Sequence, residues 1–99
     1  MKRTIDARPY QGTTAGQVAK VLEAFGFEFG PSKKRPEFVV ATHRASGLPI
    51  FVYADFDAEL HPTSVAGVRI EVETWEIASG SEFDEALMNV RKPSGDGGL

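Results

Sequence analysis

Two histidines, His43 and His61, and a run of three cations, Lys33, Lys34 and Arg35, are the residues of this 99-residue chain best suited to chemistry on their own. An imidazole titrates near neutral pH and can serve as a general base. Such a base needs an orienting partner and a nucleophile or leaving group in reach, and "ATHRAS" offers only Thr42, Arg44 and Ser46 around His43. The plainer reading of His43 is a surface histidine at the end of a hairpin. His61 stands two residues from Glu59 with no other histidine near, so it has no metal-ligand spacing. The Lys33, Lys34, Arg35 run suits phosphate contact, by point charges and a guanidinium fork, or is an ordinary solvated loop tip.

Acidic residues give two more candidates. Asp55, Asp57 and Glu59 alternate like the opening of a calcium loop, but Leu60 and Ala66 stand where that loop needs its glycine and its bidentate glutamate. Glu71, Glu73 and Trp75 are spaced two apart, which on a strand sends all three side chains the same way. They read either as an acidic face with an aromatic anchor for a partner or as a polar face with Trp75 folded under a loop. No cysteine is present, which excludes a thiolate metal site, a thiol nucleophile and a disulfide framework. "SGDGGL" at 94–99 follows a helical pattern instead of opening one, so it is no phosphate loop. No cofactor is implied.

Charge narrows the partners. The first fifty residues hold eight Lys/Arg and four Asp/Glu, and the remainder three Lys/Arg and ten Asp/Glu, so halves of +4 and −7 lie behind the net −3. Only the first half can offer phosphates a basic face, while the second would repel nucleic acid and attract a basic protein. A hydrophobic content of 41% is enough for one packed core and argues against global disorder. There is no apolar run of membrane-spanning length, and "MKRTIDARPYQG" lacks the apolar middle of a signal peptide, so a cytoplasmic protein is expected.

These residues must be held by elements that the hydrophobic period predicts. "RTIDARPY" reads as a short edge strand interrupted by Pro9. Thr14 and Gln17 form a capping box, and Val18, Val21, Leu22 and Phe25 make one helical stripe that ends at Gly26, giving a helix over 14–25. After it the period changes to two: "FEF" at 27–29, a Gly- and Pro-punctuated loop at 30–36, then strands at 37–43 and 48–55 joined by "RASG" as a hairpin. Residues 56–66 read as a loop with a short helical turn stopped by Pro62. "GVRIEVETWEI" at 67–77 alternates as a strand, with Val68, Ile70 and Val72 toward the core. Ser81 opens a second helix with the stripe Phe83, Ala86, Leu87, Val90, closed by Pro93. The expected fold is α+β, α-β-β-β(-β)-α, an antiparallel sheet with two helices on one face, as a single domain over 1–92 with a flexible tail at 93–99.

The order helix, Gly plus aromatic, strand, basic loop, hairpin is similar to the small toxin family HicA, whose fold resembles the double-stranded RNA-binding domain. "GQVAKVLEAFGF", "SKKR" and "EFVVATHRASGLPIFVY" carry the likeness over about half of the chain. The family places a Gly-Ser-His signature just before its middle strand and cuts RNA with that histidine; here "KKRPE" stands in that place, without Ser or His. His43 matches only the family's second, less specific histidine. A catalytic role is therefore not carried over, and the expected activity is non-enzymatic binding of a protein partner with a basic surface, in the manner of a phage-type inhibitor or immunity protein. Glu71, Glu73 and Trp75 would form its contact. The alternative which the resemblance implies is an RNA-binding or RNA-cleaving relative using Lys33, Lys34, Arg35, Arg44 and His43.

Overall fold

The computed structural model describes residues 6–91, so the tail expected at 93–99 lies outside it. Helix α1 (Ala15–Ala24) begins where the capping box places it: Thr14 Oγ1 accepts from the Gln17 amide at 3.2 Å, and Gln17 Oε1 accepts from the Thr14 amide at 3.0 Å. Two otherwise orphaned donors of the first turn are thereby satisfied. Gly26, at φ +94°, supplies the left-handed residue that turns the chain out of the helix.

Strands β1 (Phe27–Pro31), β2 (Phe38–His43) and β3 (Pro49–Tyr53) form one antiparallel sheet in the order β1-β2-β3. Phe27 pairs with His43 and Phe38 with Tyr53. That register puts Phe27, Ala41, Ile50 and Val52 on one face, where they join the core, and leaves Phe51 and Tyr53 exposed on the other. Of the edge strand expected at 3–10, residues 3–5 lie outside the described residues, and the described part forms a 3-10 turn at Arg8–Tyr10, because the fixed φ and missing N–H of Pro9 suit a turn and not a ladder.

Past the sheet the structure departs from the sequence reading. Residues 67–77 are no strand; helix α2 (Pro62–Thr74) covers most of them and starts within the stretch expected to be loop. Pro62 opens this helix instead of stopping one, since a proline at the first position loses no intrahelical bond. His61 caps it, with Nδ1 accepting from the Thr63 amide at 3.2 Å. Once Val65 and Ala66 are included, the buried positions Val65, Ala66 and Val72 follow the helical period, while Ile70 points outward at 36% exposure.

The helix closes with a Schellman motif. Ile77 N–H bonds to Val72 O and Glu76 N–H to Glu73 O, each at 3.0 Å, with Trp75 as the C-cap. Helix α3 (Gly80–Arg91) follows. Its cap is Ser79, two residues before the expected Ser81: Ser79 Oγ accepts from the Glu82 amide at 3.1 Å, and Glu82 Oε1 accepts from the Ser79 amide at 2.8 Å. Among the described residues there are thus three α-helices, all contributing to one core on the inner face of the sheet: Val18, Val21 and Leu22 from α1, Val65 and Val72 from α2, Phe83 and Leu87 from α3. Each such fully buried side chain stabilises the fold by roughly 1.5–3 kcal/mol relative to exposure. No helix among the described residues is long and apolar enough to cross a membrane.

Candidate interaction surface

An Arg69-centred polar network fixes α2 against α3. The Arg69 guanidinium donates to Asp84 Oδ1 at 3.2 Å and lies 3.6 Å from Glu73 Oε1. Asp84 also accepts from the Tyr10 hydroxyl at 2.7 Å, which brings the 3-10 turn into the same network. Glu73 Oε2 accepts from the Gly80 amide at 3.0 Å and so caps the start of α3. A Cβ at Gly80 would overlap the Arg69 guanidinium, so glycine is what lets Arg69 pass between the helices. Burial, then the hydrogen bond to the Asp84 carboxylate, push the Tyr10 phenol up to about 12.

This network removes Glu73 from the candidate contact surface. On a helix, residues two apart point about 200° away from each other, so Glu71 and Glu73 no longer share a face. Glu73 is turned to Arg69 and Gly80, whereas Glu71 points to solvent. Trp75, one turn beyond Glu71, regains its company by the i, i+4 relation and is 48% exposed. The exposed side of α2 and its end therefore carries Ile70, Glu71, Trp75 and Glu76. Neither Glu71 nor Glu76 has an ion-pair partner among the described residues.

Glu76 is the residue that sequence reasoning missed. It is the C′ position of the Schellman motif and holds φ +58°, the one described non-glycine residue with positive φ. A side chain in that conformation costs roughly 1–2 kcal/mol, which glycine avoids. The spacing of a helix end after Thr74 would have marked it, had the segment been read as helix.

The other candidates are dispersed. Lys33, Lys34 and Arg35 sit exposed between β1 and β2. Arg35 donates to Glu37 at 2.9 Å and lies over the Phe38 ring, 5.2 Å from its centroid. Lys33 and Lys34 have no ion-pair partner among the described residues. Arg44 is at the opposite end of β2, paired with Glu28 at 2.7 Å. His43 is also at that end; its ring packs against Phe27, with centroids 5.1 Å apart, and Nδ1 is 2.8 Å from Ser46 Oγ. The hydroxyl and ring bracket the hairpin turn, so the contact His43 makes is structural. His61 is used as a cap, and no cluster of His, Cys, Asp or Glu able to hold a metal exists among the described residues. Compared with known protein families, curated proteins and solved structures, the chain matches none of them.

Proposed function

We propose that this chain is a non-catalytic binding module that holds a protein partner with a basic surface, through the knuckle where α2 ends. The observation that supports this reading is Glu76: a carboxylate is kept at a left-handed backbone position that glycine would fill without strain, directly after the half-exposed Trp75. Strain retained at one exposed position is the kind of local cost that function maintains. Trp75 and Ile70 supply apolar area, Glu71 and Glu76 supply charge, and a rim of carboxylates around an aromatic is suited to a cationic groove. An inhibitor or immunity protein acting in the cytoplasm on a nucleic-acid-handling partner fits that chemistry.

The test uses the chain's only tryptophan as its own reporter. A partner captured from the native host and titrated into the full chain is expected to shift Trp75 emission to the blue. Glu71→Lys with Glu76→Lys is expected to weaken that binding by roughly tenfold or more and flatten its salt dependence, with circular dichroism unchanged. Glu73 is left alone, since altering it would disturb the α2–α3 junction. Undiminished binding by this double variant, together with loss on Lys33→Ala/Lys34→Ala/Arg35→Ala, would move the surface to the β1–β2 loop. A nucleic-acid reading would then require a mixed-sequence transcript to be bound, and a toxin reading would require it to be cut in a manner abolished by His43→Ala.

A further inference from the structure

The charge imbalance between the two halves of the sequence becomes, in the fold, an imbalance between two layers. Residues 27–53, which form the sheet and its loops, hold four cations and two carboxylates, whereas residues 62–91, which form α2 and α3, hold two cations and six carboxylates. The three helices pack on the inner face of the sheet, so the acidic ones stand behind it and its outer face looks away from them. The repulsion that a net charge of −3 exerts on a polyanion is therefore weakest in front of that outer face.

That face is aromatic. The register sets Phe38 opposite Tyr53 and Phe51 opposite Val40, all on the outer side. Phe38 and Tyr53 are stacked, with centroids 5.1 Å apart and planes 13° from parallel, and Phe51 meets Phe38 edge-on at 6.1 Å. Arg35 adds its guanidinium over the Phe38 ring, 5.2 Å from the centroid. Even so, Phe51 stays 55% and Tyr53 43% exposed, on a face that antiparallel sheets ordinarily give to polar side chains. At the same end of the sheet the β1–β2 loop holds out Lys33 and Lys34, exposed and without an ion-pair partner among the described residues. The carboxylates of this layer are taken up: Glu37 pairs with Arg35 and Glu28 with Arg44. Asp55, past the end of β3, accepts from the Asp57 amide at 3.1 Å.

We propose that this outer face binds single-stranded RNA, with bases stacked on Phe51 and Tyr53 and phosphates held by Lys33 and Lys34. Exposed rings beside unpaired cations are the two halves of such a site: every base has a π-face to stack, and the backbone that carries it is anionic. Phe51 and Tyr53 stand two residues apart on one strand, about 7 Å, so each ring can serve a different base. A duplex fits poorly, because its base faces are closed within the stack and cannot reach a flat sheet. RNA is the better source of open bases, since its loops, bulges and ends leave them unpaired without strand opening. The site lies in the other layer from Glu71, Trp75 and Glu76, so this proposal does not depend on what the Trp75 knuckle binds.

Fluorescence anisotropy of an end-labelled, mixed-sequence RNA of about ten nucleotides, titrated with the full chain at low salt, is expected to show binding that weakens as salt rises. The same RNA annealed to its complement is expected to bind roughly tenfold more weakly, and the corresponding single-stranded DNA no more tightly than the RNA. Phe51→Leu and Tyr53→Leu keep apolar bulk but remove the ring, and each is expected to weaken binding by roughly tenfold with circular dichroism unchanged. Tyr53→Phe, which keeps the stack on Phe38, is expected to bind as the parent does. Lys33→Ala with Lys34→Ala is expected to reduce the slope of log affinity against log salt by about 1.4, the value for two phosphates of a single strand. Glu71→Lys with Glu76→Lys, in the helix layer, is expected to leave the dependence on Phe51 and Tyr53 in place. RNA left unbound at low salt, an affinity indifferent to both leucine variants, or a preference for the duplex or for DNA would overturn the proposal. Binding to vesicles containing phosphatidylserine, with none to the RNA, would likewise overturn it and assign the face to a membrane surface.

Discussion

Glu76 and Tyr10 show how single residues set measurable energies here. Relieving the left-handed strain by Glu76→Gly is expected to stabilise the fold by about 1 kcal/mol, read as a rise of several degrees in melting temperature, while partner binding falls. Such opposed responses would distinguish a functional carboxylate from an accident of sequence. Tyr10 bears on pH. Its phenol keeps the proton up to about 12 in the folded chain, against 10 for the ordinary group, so the folded state binds more protons than the unfolded state within that interval. The stability it contributes is complete below pH 10 and is lost as pH rises through about 12. Alkaline titration followed by circular dichroism should therefore show destabilisation in that window, and Tyr10→Phe should abolish that component.

At the scale of elements, what could be read in advance was whatever local chemistry decides. The α1 box at Thr14 and Gln17, the glycine after it and the period-two runs at β2 and β3 are signals within a few residues of one another, and they produced the elements they predict. Helix α2 was not legible in the same way. Its β-branched Val68, Ile70 and Val72 alternate as a strand would, and the residues that restore the helical period, Val65 and Ala66, lie before the alternating run. Tertiary packing of Val65 and Val72 against α3 overrides that propensity. The shared face expected of Glu71, Glu73 and Trp75 changes for the same reason: with a period of about 3.6 Glu73 turns to Arg69 and Gly80, and Glu76 stands exposed beside Trp75. Two stability tests belong at this scale. Leu22→Ala, on a side chain with no exposure, is expected to cost about 2–5 kcal/mol, and Phe25→Ala, half-buried at the end of α1, less than that in the same melting experiment. Gly80→Ala, which forces Arg69 aside, is expected to cost about 1–3 kcal/mol. Arg69→Ala should cost less in that background than in the wild type, a coupling of about 1 kcal/mol in a double-mutant cycle.

Across the whole molecule, the acidic knuckle at the end of α2 and the uncharged edge of β3 are separate surfaces. One further contact has a different reach. Arg91, at the end of α3, donates to Pro9 O at 3.1 Å, to Thr13 Oγ1 at 3.1 Å and to Gln11 O at 2.9 Å, which stitches the two ends of the described chain together. A circularly permuted chain, closed by a short flexible linker between these ends and reopened in the exposed stretch at 33–36, is expected to fold to the same sheet and helices. Its circular dichroism spectrum should match that of the parent, with cooperative melting retained; a permutant that collapses without cooperative melting would show that α1 must be laid down before the sheet can form.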